Sequence, residues 1–175
     1  MDYRNLLSDG YDRALAELEH VLEGLTPEDL NWQPRPDCNS IGWLAWHITR
    51  SQDAALSFVM RQEQLWIKDN WHSKFNRPAD PRDWGTGHTP EDVAAFVAPD
   101  VATLIDYNRA VVERSKQYIN TLTGEDLDRV LNMKWLPPLT TLGSFLIMIM
   151  ADSFQHAGQA GYVRGLHEGL GWQKY

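Results

Sequence analysis

The 175-residue sequence contains a single cysteine, Cys38, which excludes an internal disulfide and a cysteine-based zinc site. It also lacks an apolar run of the roughly 18 residues that a membrane-spanning helix needs, and its N-terminus has no apolar core of a signal peptide. From these absences we predict a cytoplasmic protein that does not associate with membranes.

Basic residues are in the minority, with 16 Lys and Arg against 24 Asp and Glu, and they are scattered along the chain. A formal net charge of -8 repels a phosphate backbone, so we expect no nucleic-acid binding. Hydrophobic residues make up 43% and charged residues 23%, values typical of soluble globular proteins. At this length we predict one domain that covers residues 1–175.

Strand patterns are essentially absent, whereas four long segments have apolar residues at three- and four-residue steps. This spacing is typical of amphipathic helices. The segments span approximately residues 3–25, 41–66, 100–122 and 140–166. We therefore predict an all-α fold built on four long helices, that is, a four-helix bundle.

The second and third predicted helices are joined by about 30 residues rich in Pro, Gly, Asp and Trp. Within this connection "TPEDVAAF" predicts a short helix capped by Thr89. A connection of this length can cross a bundle from end to end, which a loop of a few residues cannot. We therefore predict a long crossover between helices 2 and 3, with its tryptophans packed on the bundle.

Two pairs of segments in the halves of the chain resemble each other. "GLTPEDLNW" at 24–32 is similar to "TLTGEDLDR" at 121–129, and "NSIGWLAWHI" at 39–48 is similar to "TTLGSFLIMI" at 140–149. Each half then consists of a long helix, a capped turn and a second long helix. This repetition suggests two helical hairpins related by a pseudo-twofold axis.

Polar residues interrupt the buried stripe of two predicted helices. In the fourth helix, Asp152 and His156 continue the inward apolar face, and four residues separate them by about 6 Å and 40°. In the second helix, His47 lies at the edge of the inward face between Trp43 and Trp46. Two imidazoles and one carboxylate form a facial set for a divalent transition metal. The alternative is a core histidine together with an Asp–His hydrogen bond.

The motifs "NSIGWLAWHI" and "DSFQHAGQAGYVRG" resemble the DinB and YfiT-like metal-binding superfamily, which includes the mycothiol-dependent maleylpyruvate isomerase domain. The resemblance implies a bundle of up-down-down-up topology, with metal ligands at His47, Asp152 and His156. Many members have histidine at the position of Asp152, whereas the isomerases have a carboxylate there. Zinc or nickel would be family-like, and the two-His, one-Asp set would also suit iron or manganese.

The same resemblance implies a reaction. The better-understood members use a low-molecular-weight thiol such as mycothiol or bacillithiol, so we expect a thiol-dependent S-transferase or isomerase acting on a small-molecule substrate. It also implies a homodimer. One alternative is a metal-dependent hydrolase with His72 or His88 as proton acceptor. Another is a non-catalytic bundle that binds a metal or a ligand.

Further residues near the three candidate ligands are assigned to a surrounding shell or a substrate pocket. Gln159 could orient a ligand or a bound water, and Trp43 could line the pocket. Arg164 could pair with an acidic substrate or an acidic neighbour. We expect Gly158 and Gly161 to allow close helix packing.

Overall fold

The computed structural model describes residues 2–134 and 136–173. Over these residues all regular secondary structure is helical, apart from one isolated antiparallel bridge between Val130 and Thr141. The all-α prediction is therefore confirmed. The long helices are α1 (Tyr3–Leu22), α3 (Ile41–Met60), α7 (Val101–Thr121) and α9 (Leu142–Glu168). The short ones are α2 (Pro27–Asn31), α4 (Leu65–Lys68), α5 (Trp71–Lys74), α6 (Pro90–Ala94) and α8 (Gly124–Asp128).

Side-chain hydrogen bonds between the long helices define their directions. Between α3 and α7, and between α1 and α9, a residue with a higher number in one helix bonds to a residue with a higher number in the other. The two helices of each pair are therefore parallel. Between α1 and α7 the order of the bonded residues is reversed, so these two helices are antiparallel. The chain therefore goes up α1, down α3 and α7, and up α9. The bonds, with distances, are Arg50 to Tyr107 (3.4 Å), Gln52 to Ser115 (2.8 Å), Tyr11 to the Leu146 carbonyl (3.0 Å), Arg164 to the Val21 carbonyl (2.9 Å), Arg109 to Glu19 (2.7 Å) and Lys116 to Asp12 (2.8 Å).

The second long helix ends earlier than predicted, at Met60 instead of residue 66. Arg61 adopts a left-handed conformation with φ of 54°, and the chain then turns into α4. The Asp53 carboxylate accepts hydrogen bonds from the backbone amides of Leu65 and Trp66 at 3.0 and 2.9 Å. These bonds satisfy amides at the start of α4, which explains why the periodic sequence does not continue as one helix.

Asp53 lies in a buried polar cluster that the sequence pattern did not predict. Its fully buried carboxylate accepts hydrogen bonds from Tyr107 at 2.8 Å and Arg114 at 3.3 Å. Arg50, also fully buried, lies 3.8 Å from it and donates to the Asp83 carbonyl at 3.1 Å. The cluster compensates the buried charges and ties the crossover, residues 61–100, to α3 and α7.

The two segments that resemble each other in sequence also fold alike. α2 and α8 each begin with a capping box made by a threonine and the aspartate three residues later. Early in the following long helix, a glycine then packs against the short helix. A Cβ at Gly42 would lie 2.9 Å from the Leu30 carbonyl oxygen, and one at Gly143 would lie 3.3 Å from that of Leu127.

The two glycines of α9 that were expected to allow close packing differ. A Cβ at Gly161 would lie 3.4 Å from Val21 of α1, an ordinary van der Waals contact, so α1 packs against this position but would also accommodate an alanine. Gly158 is exposed and a Cβ there would meet nothing within 4 Å, so the prediction is wrong for Gly158.

Among the described residues, no helix is both long and apolar enough to cross a membrane.

Candidate metal centre

His47, Asp152 and His156 converge between α3 and α9. One ligand atom from each residue lies within 4.8 Å of those from the other two. The two imidazole rings are nearly perpendicular, with centroids 4.7 Å apart. The long helices thus bring the three predicted side chains to one point, and their role as metal ligands stays a prediction.

Hydrogen bonds orient both imidazoles toward this point. The Nδ1 of His156 lies 2.7 Å from the Gln159 side-chain oxygen, and the Nδ1 of His47 bonds to the Trp84 carbonyl oxygen. Because these oxygens only accept, each Nδ1 carries a proton, and the neutral ring has its lone pair on Nε2. The Nε2 of His156 lies 3.4 Å from an Asp152 carboxylate oxygen.

The two histidines have opposite pKa shifts. Burial lowers the pKa of His47, so this imidazole is neutral at pH 7 and in the form that binds a metal. The hydrogen bond with Asp152, followed by that with Gln159, raises the pKa of His156. Metal binding at His156 would therefore compete with protonation of this ring.

The donor set fits a divalent transition metal on chemical grounds. Two imidazoles and a carboxylate suit zinc, nickel, iron and manganese. Each imidazole has the hydrogen-bonded oxygen on its other nitrogen that is characteristic of ligating histidines. The Asp152 side chain is 40% exposed, which leaves open positions on that side. Ligand atoms around one ion lie at most about 4.2 Å apart, so binding would draw the three side chains slightly inward.

The crossover passes directly over His47. Trp84 provides the carbonyl that bonds to the ring, and the next residue, Gly85, has φ of 91°. A Cβ on Gly85 would lie 2.7 Å from Trp43 and 3.0 Å from His47 Nδ1. Glycine is therefore required here both by conformation and by space. In the sequence, the two glycines of "WGTGH" were the available sign of such a tight turn.

Trp43, a predicted pocket residue, stacks on the ring of His47 with centroids 4.9 Å apart and planes 10° apart. Its indole N–H donates to His88 Nδ1 at 3.1 Å. His88 in turn donates from Nε2 to Asp83 at 3.0 Å, and Arg77 donates to the same carboxylate at 2.7 Å. This chain of hydrogen bonds fixes the Trp43 ring and the crossover beside it.

The other predicted residues have defined positions. His88 reaches the edge of the site, but both of its ring nitrogens are hydrogen-bonded, and His72 packs beside Trp66 with ring centroids 6.4 Å apart. Arg164 lies two turns beyond His156 along α9. It donates to the carbonyl of Val21 at 2.9 Å and to Glu168 at 3.2 Å. Arg164 thus pairs with an acidic neighbour, Glu168, which is one of the two alternatives given by the sequence, and it also bonds to the end of α1.

A groove of about 860 Å³ lies beside the three candidate ligands. α3, α9 and the crossover form its walls, and Ser51, Trp84 and Asp152 line it closest to the ligands. The sequence pattern did not predict this groove, because the path of the crossover defines one of its walls.

Comparison with known proteins agrees with this architecture. The profile of the DinB superfamily matches residues 11–160. A crystal structure described as a conserved protein from Enterococcus faecalis is 34% identical, covers 97% of this chain and 99% of its own, and has a TM-score of 0.87. No curated protein matches the chain. The profile match spans most of the sequence, and the chain belongs to the DinB superfamily.

Proposed function

We propose that this protein is a metal-dependent enzyme that holds a divalent cation through His47, Asp152 and His156 and uses a low-molecular-weight thiol in S-transfer or isomerisation. The observation that supports it best is the hydrogen bonding of both imidazoles, whose Nδ1 atoms bond to oxygens and so leave Nε2 free to ligate, in a cluster where one ligand atom of each residue lies within 4.8 Å of the others. A cation held there would lower the pKa of a bound thiol and so favour the thiolate at neutral pH. Zinc or nickel is proposed first, with iron or manganese compatible with the same donors.

The residues around the cluster have distinct tasks in this proposal. Trp84 and Gln159 hold the two imidazoles in the ligating orientation. Trp43 covers one face of the His47 ring and keeps water from it. The partly exposed Asp152 side opens toward the groove, from which a thiol of mycothiol or bacillithiol type and a small-molecule substrate would enter. We place the reaction in the cytoplasm, where thiols stay reduced, and in a homodimer.

A metal-dependent hydrolase is the second candidate, and the arrangement of the crossover favours it less. Such an enzyme needs a proton acceptor near the attacking water. Both nitrogens of His88 are already bonded, to Trp43 and Asp83, and His72 lies beside Trp66. A thiol bound to the cation would release its proton to solvent without an acceptor side chain, because even an unbound thiol has a pKa of about 8.5, far below that of about 15.7 for water.

Metal content is the first test. Protein purified without chelators should contain about one transition-metal ion per chain by plasma mass spectrometry, and the variants His47→Ala and His156→Ala should lose it. His72→Ala is the matched control, because it removes a histidine outside the cluster, and it should retain the metal. Equal metal content in all four proteins would refute the proposed ligands, and metal-free wild-type protein would favour a non-catalytic bundle.

The second test addresses the reaction. Zinc- or nickel-loaded protein is incubated with an electrophile and with each of several cellular thiols, and conjugation is followed by mass spectrometry. We expect one thiol to react above the His47→Ala background. Turnover of ester or amide substrates without any thiol, and no conjugation with one, would replace the transferase with the hydrolase.

A further inference from the structure

The groove beside the cluster is lined mainly by apolar side chains. Those on its two helical walls are Ala54, Ala55, Phe58, Phe145, Met148 and Ile149. Phe58 is 57% exposed and Met148 is 42% exposed, although both are large apolar residues. The volume of about 860 Å³ lies within the range of small-molecule pockets.

Two polar residues of the lining, Gln64 and Ser57, direct their hydrogen-bonding groups to the protein. Gln64 accepts from Arg50 and donates to the Pro81 carbonyl, both at 2.9 Å. Ser57 donates to Asp53 at 3.2 Å. The groove therefore offers a ligand mostly apolar contact away from the Asp152 end.

Charges at the rim of the groove are of both signs. Glu63 is exposed there, and Arg82, also exposed, lies 3.4 Å from Asp80. Opposite charges in water produce no strong field of one sign, so nothing at the rim selects an ionic ligand. An ionised group inside would lose its hydration against the apolar walls. Charge and lining thus favour a neutral occupant.

We infer that the groove binds the apolar chain or ring of a neutral substrate whose reacting end lies beside Asp152. This inference rests on the proposed function, since it assigns the groove to the substrate that reacts at the cluster. Asp152 and Phe145 are two turns apart on α9, a distance of about 10 Å. An extended chain of about eight carbon atoms matches this length.

Neutral n-alkyl hydroxamic acids with two to ten carbons test this inference. Their hydroxamate group binds a metal, and the dependence of affinity on the length of the alkyl chain shows whether the chain binds in the groove. Isothermal titration calorimetry is performed on the zinc-loaded protein. Affinity should rise up to about fourfold per added methylene and level off near eight carbons. Equal affinity for the shortest and longest probes would overturn the inference.

Two adjacent positions on α9 provide a matched pair of variants. Met148→Gln places an amide in the wall of the groove, and Ile147→Gln makes the same change at an exposed residue that does not line it. Met148→Gln should weaken the eight-carbon probe about fivefold or more and leave the two-carbon probe unchanged. Ile147→Gln should change neither, and equal losses in both variants would refute the assignment.

Metal-free protein separates this inference from the proposed function. 1-Octanol has no metal-binding head, and its binding is followed by saturation-transfer NMR with ethanol as the short-chain control. If no metal binds but octanol still binds in a Met148-dependent manner, the groove assignment stands and the metal-dependent enzyme does not. If hydroxamates bind the zinc form regardless of chain length, the metal site stands and the groove assignment is wrong.

Discussion

Replacing Gly85 with alanine tests whether the crossover positions His47. The added Cβ would lie 2.7 Å from Trp43, 3.0 Å from His47 Nδ1 and 3.1 Å from Trp46. Cβ atoms essentially never lie within 3.0 Å of another heavy atom, so the contact with Trp43 requires that either the rings or the backbone at residues 84–85 move. The φ of 91° is also a conformation that alanine rarely adopts.

Two costs contribute to the expected loss of stability. The unfavourable φ costs on the order of 1–3 kcal/mol, and displacement of packed rings costs about 1–3 kcal/mol. Because relaxation relieves both together, we expect the free energy of unfolding to fall by about 3 kcal/mol. The movement also takes the Trp84 carbonyl away from His47 Nδ1, and loss of such a partner weakens metal binding roughly 10- to 100-fold.

Gly87→Ala is the matched control for this change. Gly87 has a similar φ of 85°, but a Cβ there would meet nothing within 4 Å. It therefore carries the conformational cost alone, on the order of 1–3 kcal/mol, and should bind zinc as the wild type does. Urea unfolding measures the stability of both variants, and competition with a chromophoric chelator measures their zinc affinity. Equal zinc affinity in the two variants would refute the positioning of His47 by the crossover.

Three further changes have expected outcomes. Gln159→Leu removes the oxygen bonded to His156 Nδ1, so zinc affinity should fall about tenfold by calorimetry while the urea midpoint stays nearly constant; unchanged affinity would argue against this role. Asp53→Asn leaves the buried Arg50 without a full counter-charge and should lower the free energy of unfolding by about 3–5 kcal/mol, whereas the exposed Asp106→Asn should change it by less than about 0.5 kcal/mol. The Thr26 hydroxyl and amide, with His167, hold the pKa of Asp29 at about 2, so its stabilisation is present above the unfolded pKa of about 4 and is lost as the pH falls toward 2. Asp29→Asn should therefore cost about 1 kcal/mol at pH 6 and only about a third of that near pH 2.5 in urea titrations, and a difference that does not vary with pH would contradict this linkage.

The helices were largely predictable because their signals are local. Apolar periodicity located the four long segments, and the cap at Thr89 was visible as a threonine before Pro-Glu-Asp. The early end of α3 was not predictable, because an Asp53 carboxylate twelve residues from Leu65 captures the start of α4. This hydrogen bonding depends on the burial of Asp53 beside α4, which no local sequence pattern reveals.

Helical periodicity predicted that His47, Asp152 and His156 point toward one another, since side-chain direction in a helix follows from residue spacing. The buried face of α9 runs through Ser153 and Ala157 instead, and Asp152 is 40% exposed at its edge. Periodicity carries no information about which distant backbone groups a ring will meet. The bond from His47 to the Trp84 carbonyl, the requirement for glycine at Gly85 and the apolar groove all arise from the packing of the crossover against α3 and α9. These features depend on contacts between segments far apart in the chain, and so they became visible only in the folded molecule.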